Sequence, residues 1–182
     1  MMEIAFCRVS NSDDPLFSEA WSLYEQAFPI LERRELELQC QLLSEERYHF
    51  DVVKAGTEMV GFIMWWNFHE LVYIEHLATN ESVRGRGIGE QIVKALLKDT
   101  GVKVVLEVEP PVGDMNRRRI GFYERLGFQL NHYPYQQLPL RRNGKPVDLL
   151  LMSSPGYMSA SELAAFKEEF EKYCYAPYLG YL

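Results

Sequence analysis

The sequence predicts an α/β fold, a mixed sheet flanked by helices, and three observations carry that prediction. Residues 48–79 hold three consecutive strand-like runs, after which strand and helix patterns alternate. Gly56, Gly101 and Gly127 fall where one pattern stops and the next begins, as turn and helix-ending residues do. The chain of 182 residues, 47% hydrophobic and 25% charged, has the size and composition of one globular domain, here expected to span residues 1–182.

Ile4 to Val9 reads as the first strand. Asp14 is placed to cap a helix and Pro15 to open it, with Leu16, Ala20, Leu23, Tyr24 and Ala27 at helical spacing up to about Phe28. Leu36, Cys40 and Leu43 mark a second helix. Tyr48 to Lys54 alternates as a half-buried strand and turns at Ala55-Gly56-Thr57 into Val60 to Phe68, whose unbroken apolar character predicts burial on both faces. Leu71 to about Thr79 is the next strand, Ile88 to Leu96 a helix ended by Gly101, and Val102 to Val108 a strand. Met115 to about Leu126 is a helix closed by Gly127, and Phe128 to Tyr133 and Val147 to Ser153 are strands. Ser159 and Glu162 form a capping box for a final helix to about Tyr175, with Leu163, Phe166, Phe170, Tyr173 and Cys174 on its inner stripe. The order is β-αα-βββ-αβ-αβ-β, a core of about residues 3–153, followed by a helical extension at about 159–175.

The net charge of −7 disfavours a nucleic-acid partner, whose affinity comes from a basic face, and fits cationic or amine-bearing partners. Three cysteines at wide spacing form neither a zinc pattern nor a disulfide framework, and His49, His69, His76 and His132 form no spaced ligand set, so no metal is expected. Without a signal-peptide pattern at the start or an apolar run long enough to cross a bilayer, the sequence reads as a cytoplasmic domain with no membrane partner.

The most informative stretch is Val83-Arg84-Gly85-Arg86-Gly87-Ile88-Gly89-Glu90, set between a strand and a helix. Glycines there let the backbone approach a ligand, and the helix N-terminus favours an anion such as a pyrophosphate. Neither the dinucleotide fingerprint nor the Gly-Lys-Ser/Thr phosphate loop is present. The bland alternative is a glycine turn that only starts a helix. The stretch resembles the Arg/Gln-x-x-Gly-x-Gly/Ala signature of the GNAT acyltransferase superfamily, matched by Arg84, Gly87 and Gly89. A second stretch, Asn116 through Phe122, Tyr123, Gly127 and Phe128, resembles that superfamily's Asn-x-x-Ala-x-x-Phe/Leu-Tyr-x-x-x-Gly-Phe signature. Arg119 stands where a small residue is usual, and the Glu107–Pro111 linker is longer than usual.

The resemblance implies a GNAT-like acyltransferase fold, acetyl-CoA as cosubstrate and a small-molecule or peptide amine as acceptor, in a monomer or homodimer. It implies that the backbone of Arg84, Gly85, Arg86, Gly87, Ile88, Gly89 and Glu90 holds the pyrophosphate. Leu77, Ala78 and Thr79 would offer main-chain groups to the pantetheine and thioester, where an N–H stabilises the developing oxyanion by ~3 kcal/mol. Asn116 would contact the cosubstrate and Tyr123 would protonate the leaving thiolate; away from the motif Tyr123 reads as a core tyrosine. An amine attacks only when neutral, so a base must take its proton. Glu107 ranks first for that role, by resemblance to a position used in N-terminal acetyltransferases. Glu75 ranks second, and Tyr73, on the same face of its strand as Glu75, is a water-positioning candidate. Each carboxylate has an equal alternative as a buried partner of an arginine. Glu32 and Arg33, between the first two helices, are acceptor-binding candidates, with surface helix charge as the alternative. A non-catalytic acyl-CoA-binding or sensing module on the same fold is the competing function.

Overall fold

In the computed structural model, which describes residues 3–180, Asp14 caps the first helix as its sequence predicts. Its carboxylate accepts the Leu16 N–H at 2.9 Å, and Pro15 opens helix α1 (Pro15–Ala27). The apolar stripe of α1 buries Phe17, Ala20, Leu23 and Tyr24. The chain divides into two compact units, one of residues up to 67 plus 74–101, the other of residues 68–73 plus 102 onward.

The first unit holds strand β1 (Ala5–Arg8), α1, helix α2 (Leu36–Leu42), strands β2 (Tyr48–Ala55) and β3 (Glu58–Asn67), most of strand β4 (Leu71–Thr79), and helix α3 (Ile88–Thr100). β1, β2 and β3 pair antiparallel, with the β2–β3 turn at Gly56, whose φ of 62° suits glycine. β3 buries six consecutive residues, Met59 to Met64, so the apolar run is indeed covered on both faces. Gly61 has a steric reason: a Cβ there would collide with the Ala78 carbonyl. Its absence lets β3 lie close under the end of β4, and Asn80 fastens that end by donating its backbone N–H to the Val60 carbonyl at 2.9 Å.

The second unit holds strand β5 (Lys103–Val108), helix α4 (Asp114–Arg125), strands β6 (Gln129–Leu130), β7 (Gln136–Gln137), β8 (Val147–Asp148) and β9 (Leu150–Ser154), and helix α5 (Ala160–Glu169). β9 lies between β5 and β6, antiparallel to both, while β7 and β8 make a separate ribbon. The mixed α/β expectation holds: each unit sets paired strands beside helices.

Three elements differ from the sequence reading. The strand expected over 128–133 ends at Leu130; the Asn131 N–H still donates to the Leu151 carbonyl at 2.8 Å, but the buried Asn131 side chain bonds beyond the strand. It donates to the Ser153 hydroxyl at 3.0 Å and accepts the Met158 N–H at 2.7 Å. The strand expected over 147–153 splits at Leu149, whose N–H donates to the Tyr135 carbonyl. The final helix has its predicted capping box at Ser159 and Glu162, but after Glu169 it widens into a π-helical turn (Phe170–Tyr175) before a short helix α6 (Ala176–Leu179). Pro177 explains the widening: it has no N–H for the preceding turn and its ring crowds that turn's carbonyl. Among the described residues no helix is long and apolar enough to cross a membrane, and no group of three or more His, Cys, Asp and Glu could hold a metal ion.

Candidate active site

In the first unit the glycine-rich turn leads from β4 into α3. Gly85 and Gly87 have φ of 79° and 74°, left-handed values that a side chain strains, and Gly87 is the N-cap of α3. A Cβ at either would meet nothing within 4 Å, so the space in front of the turn is open. The first ladder bond of α3 runs from the Gln91 N–H to the Gly87 carbonyl at 3.0 Å. The turn thus leads straight into a helix N-terminus, the end of a helix that favours an anion. Arg84 and Arg86 are exposed beside it, Arg84 paired with Glu81 at 2.8 Å. Leu77, Ala78 and Thr79 end β4 just before the turn.

Glu75, also on β4, is a fully buried carboxylate in an ion pair with Arg34, whose side chain is equally buried. Trp66 Nε1 donates to the same carboxylate at 3.2 Å. Burial alone would raise the Glu75 pKa, but the Arg34 guanidinium outweighs it, and with hydrogen bonding from His76 the value falls from 4.5 to about 2. This is the arrangement of a carboxylate that holds an arginine; a carboxyl held so low is a weak proton acceptor. The pair anchors the α1–α2 connection, together with the Arg34 N–H donating to the Tyr24 hydroxyl at 2.9 Å and His76 Nε2–H donating to the Glu32 carbonyl at 3.0 Å. Arg33 forms an ion pair with Glu25 at 3.1 Å, the surface-charge arrangement.

In the second unit Glu107 of β5 is the centre of a hydrogen-bond cluster. Its carboxylate accepts from the Tyr73 hydroxyl at 2.6 Å, the Tyr135 hydroxyl at 2.5 Å and the Gln137 amide. Burial and the adjacent Glu107 charge push the Tyr135 phenol far above its ordinary pKa, so it stays a proton donor. Phe166 and Phe170 pack edge-on to the Tyr73 ring at 5.2 and 5.7 Å, so the helical extension fixes that ring's position. Glu107 and Tyr73 are thus brought together, whereas Glu75 is bound elsewhere. Sequence reasoning missed Tyr135, Gln137 and Arg34. The alternation of Tyr133, Tyr135 and Gln137 in the Pro-rich loop was the available signal for the first two.

Tyr123 lies on α4, buried against Phe128 with ring centroids 5.6 Å apart. Burial, opposed by the Arg119 charge, pushes its phenol up to about 12, so it is protonated at neutral pH. Asn116 donates to the Pro110 carbonyl at 3.1 Å and Arg119 pairs with Glu109. The long linker is therefore fastened to the face of α4, and an arginine at 119 has a partner there.

The model of the acetyltransferase (GNAT) family matches residues 14–128. A protein of Bacillus subtilis (strain 168), named as the acetyltransferase YjbC, is 29% identical over 150 residues, which are 79% of this chain and 75% of that protein. A solved structure from Bacteroides thetaiotaomicron, described as a GNAT-family acetyltransferase, is 31% identical with a TM-score of 0.83 and covers 94% of this chain and 99% of its own. Naa50 of Arabidopsis thaliana, solved with the bisubstrate analogue CoA-Ac-MVNAL, shares the fold at a TM-score of 0.60 and 20% identity, covering 84% of this chain and 99% of its own.

The Arg34–Glu75 pair has a measurable consequence. The folded-state pKa of Glu75 is depressed, so the pair's contribution to stability is complete above pH 4.5 and is lost as pH falls toward 2. Glu75→Gln leaves the buried Arg34 charge without its partner and is expected to cost about 3–5 kcal/mol in urea unfolding at pH 7. The variant's loss of stability between pH 4.5 and 2 should be shallower than that of the parent chain.

Proposed function

The chain belongs to the GNAT acetyltransferase family, and on that basis we propose that it is an acyl-CoA-dependent N-acyltransferase. In this reading it passes acetyl from acetyl-CoA to a primary amine of a small molecule or peptide by direct attack, the chain acting as one catalytic domain. The observation that carries it is the left-handed glycine turn at Gly85 and Gly87, opening helix α3 with clear space before it.

The turn from Arg84 to Glu90 binds the pyrophosphate at the N-terminus of α3. The Arg84 and Arg86 N–H groups brace the turn on the Glu81 and Val83 carbonyls, and the Arg84 and Arg86 side chains add positive charge in an acidic protein. Leu77, Ala78 and Thr79 align the pantetheine through main-chain hydrogen bonds, and a backbone N–H there stabilises the charge that develops on the thioester oxygen. Glu107 takes the proton from the attacking amine. Tyr73, donating to Glu107, holds that carboxylate and orders any water between it and the amine. As the carbon–sulfur bond breaks, Tyr123 donates its proton to the thiolate, and its high pKa keeps that proton in place until then. Asn116, oriented by its hydrogen bond to the Pro110 carbonyl, contacts the cosubstrate in this reading.

Three measurements test this reading. Gly87→Val forces a β-branched residue into a left-handed conformation and fills the space in front of the turn. CoA affinity by calorimetry is expected to fall at least about tenfold while the far-ultraviolet circular dichroism is kept. Tyr123→Phe removes only the hydroxyl and is expected to lower turnover about 10²-fold, with the acetyl-CoA dissociation constant nearly unchanged. Glu107→Gln cannot accept a proton, so thiol release with an amine acceptor is expected to drop about 10²-fold or more. Unaltered turnover in a folded Glu107→Gln protein would remove Glu107 from the mechanism. CoA binding without turnover against a broad amine panel would support the non-catalytic module instead.

A further inference from the structure

The helical extension and the segments around the β7–β8 ribbon enclose a second feature of the second unit. A cavity of about 670 Å³ opens beside the π-helical turn, within the range of small-molecule sites. Tyr133, Tyr135, Leu138, Leu150 and Phe170 supply its apolar wall. Tyr135 is the connection to the chemistry: its ring lines the cavity and its hydroxyl donates to Glu107. The carboxylate assigned above as base therefore stands directly behind one wall. The polar lining is sparse and mixed in sign. Asp148 and Glu171 bring negative charge, Asp148 held by the Gln136 amide at 2.7 Å, and Lys167 brings one positive charge, 6.0 Å from the centre of the Tyr135 ring.

We propose that this cavity is the acceptor site and that its ligand is a small primary monoamine with an apolar, aromatic-sized body. The inference rests on the acetyl transfer proposed above. Aromatic and aliphatic walls favour a ring or branched chain over a sugar, whose hydroxyls would find few partners there. A polyamine or aminoglycoside needs several carboxylates, but the cavity offers two and sets a lysine among them. A peptide would need a run of main-chain partners rather than a short apolar cavity. The carboxylates of Glu171 and Asp148 attract one ammonium. Phe170 links both functions, since the π-helical turn sets its ring against Tyr73 and into the cavity wall.

The full chain is assayed for thiol release from acetyl-CoA with 2-phenylethylamine, spermidine and kanamycin. The expected kcat/KM for 2-phenylethylamine is at least about tenfold above either polycation, the scale of discrimination by a few apolar contacts. Leu138→Trp, which fills the cavity, is expected to raise the 2-phenylethylamine KM by the same factor without changing that of acetyl-CoA. Glu171→Lys, an exposed substitution, is expected to raise the amine KM several-fold. Binding of 2-phenylethylamine is read separately by saturation-transfer NMR with CoA present, and Leu138→Trp should abolish it. Faster acetylation of spermidine or kanamycin overturns the proposed cavity ligand while leaving acetyl transfer intact. An amine KM or NMR signal indifferent to Leu138→Trp overturns the cavity assignment. If 2-phenylethylamine binds in the cavity but no amine is acetylated, the transfer reading fails and the ligand assignment stands.

Discussion

The carboxylate of Glu107 sets the terms for the second unit. It accepts hydrogen bonds from Tyr73, Tyr135 and Gln137, all three of which are buried. Glu107 is half-buried, and a partly desolvated carboxylate is tolerable when its lone pairs are met and its donors are held in place. The β7–β8 ribbon supplies Gln137, the residue just before it supplies Tyr135, and the edge-on contacts of Phe166 and Phe170 hold Tyr73. The helical extension is thus part of the chemistry of the cluster rather than an appendage to the sheet.

The two carboxylates that the sequence offers as candidate bases, Glu75 and Glu107, have different partners. Glu75 faces a guanidinium, which stabilises its charge so strongly that it has little affinity for a proton. Glu107 faces phenols and an amide, which orient it without lending it a full positive charge through these bonds. The first arrangement serves the anchoring of the α1–α2 connection. The second gathers three donors of the second unit around one carboxylate.

Around the glycine turn the governing constraint is backbone conformation rather than packing. Gly85 and Gly87 have no neighbours that a side chain would strike, so their identity is set by left-handed φ values. Gly61 is the reverse case: its backbone is ordinary, and the Ala78 carbonyl excludes any Cβ. Gly85 and Gly87 serve the turn's conformation, whereas Gly61 lets β4 be supported from beneath.

Most of the elements were legible in the sequence because their signals are local. Helix caps at Asp14 and Ser159, stops at Gly101 and Gly127, and the apolar run of β3 depend on residues within a turn or two of one another. The glycine turn and the Asn116–Phe128 stretch were legible for the same reason and pointed to the family. Where tertiary partners override local pattern, the sequence was silent. The Asn131 side chain bonds beyond its strand because Ser153 and Met158 lie across from it, and the last helix widens where Pro177 meets its preceding turn. Which carboxylate is bound to an arginine, and which gathers phenols from residues 28 and 34 positions away, is decided only when distant segments fold together. Spacing along the chain carries no record of such distances, and the tertiary structure alone placed Arg34 against Glu75 and Tyr135 against Glu107.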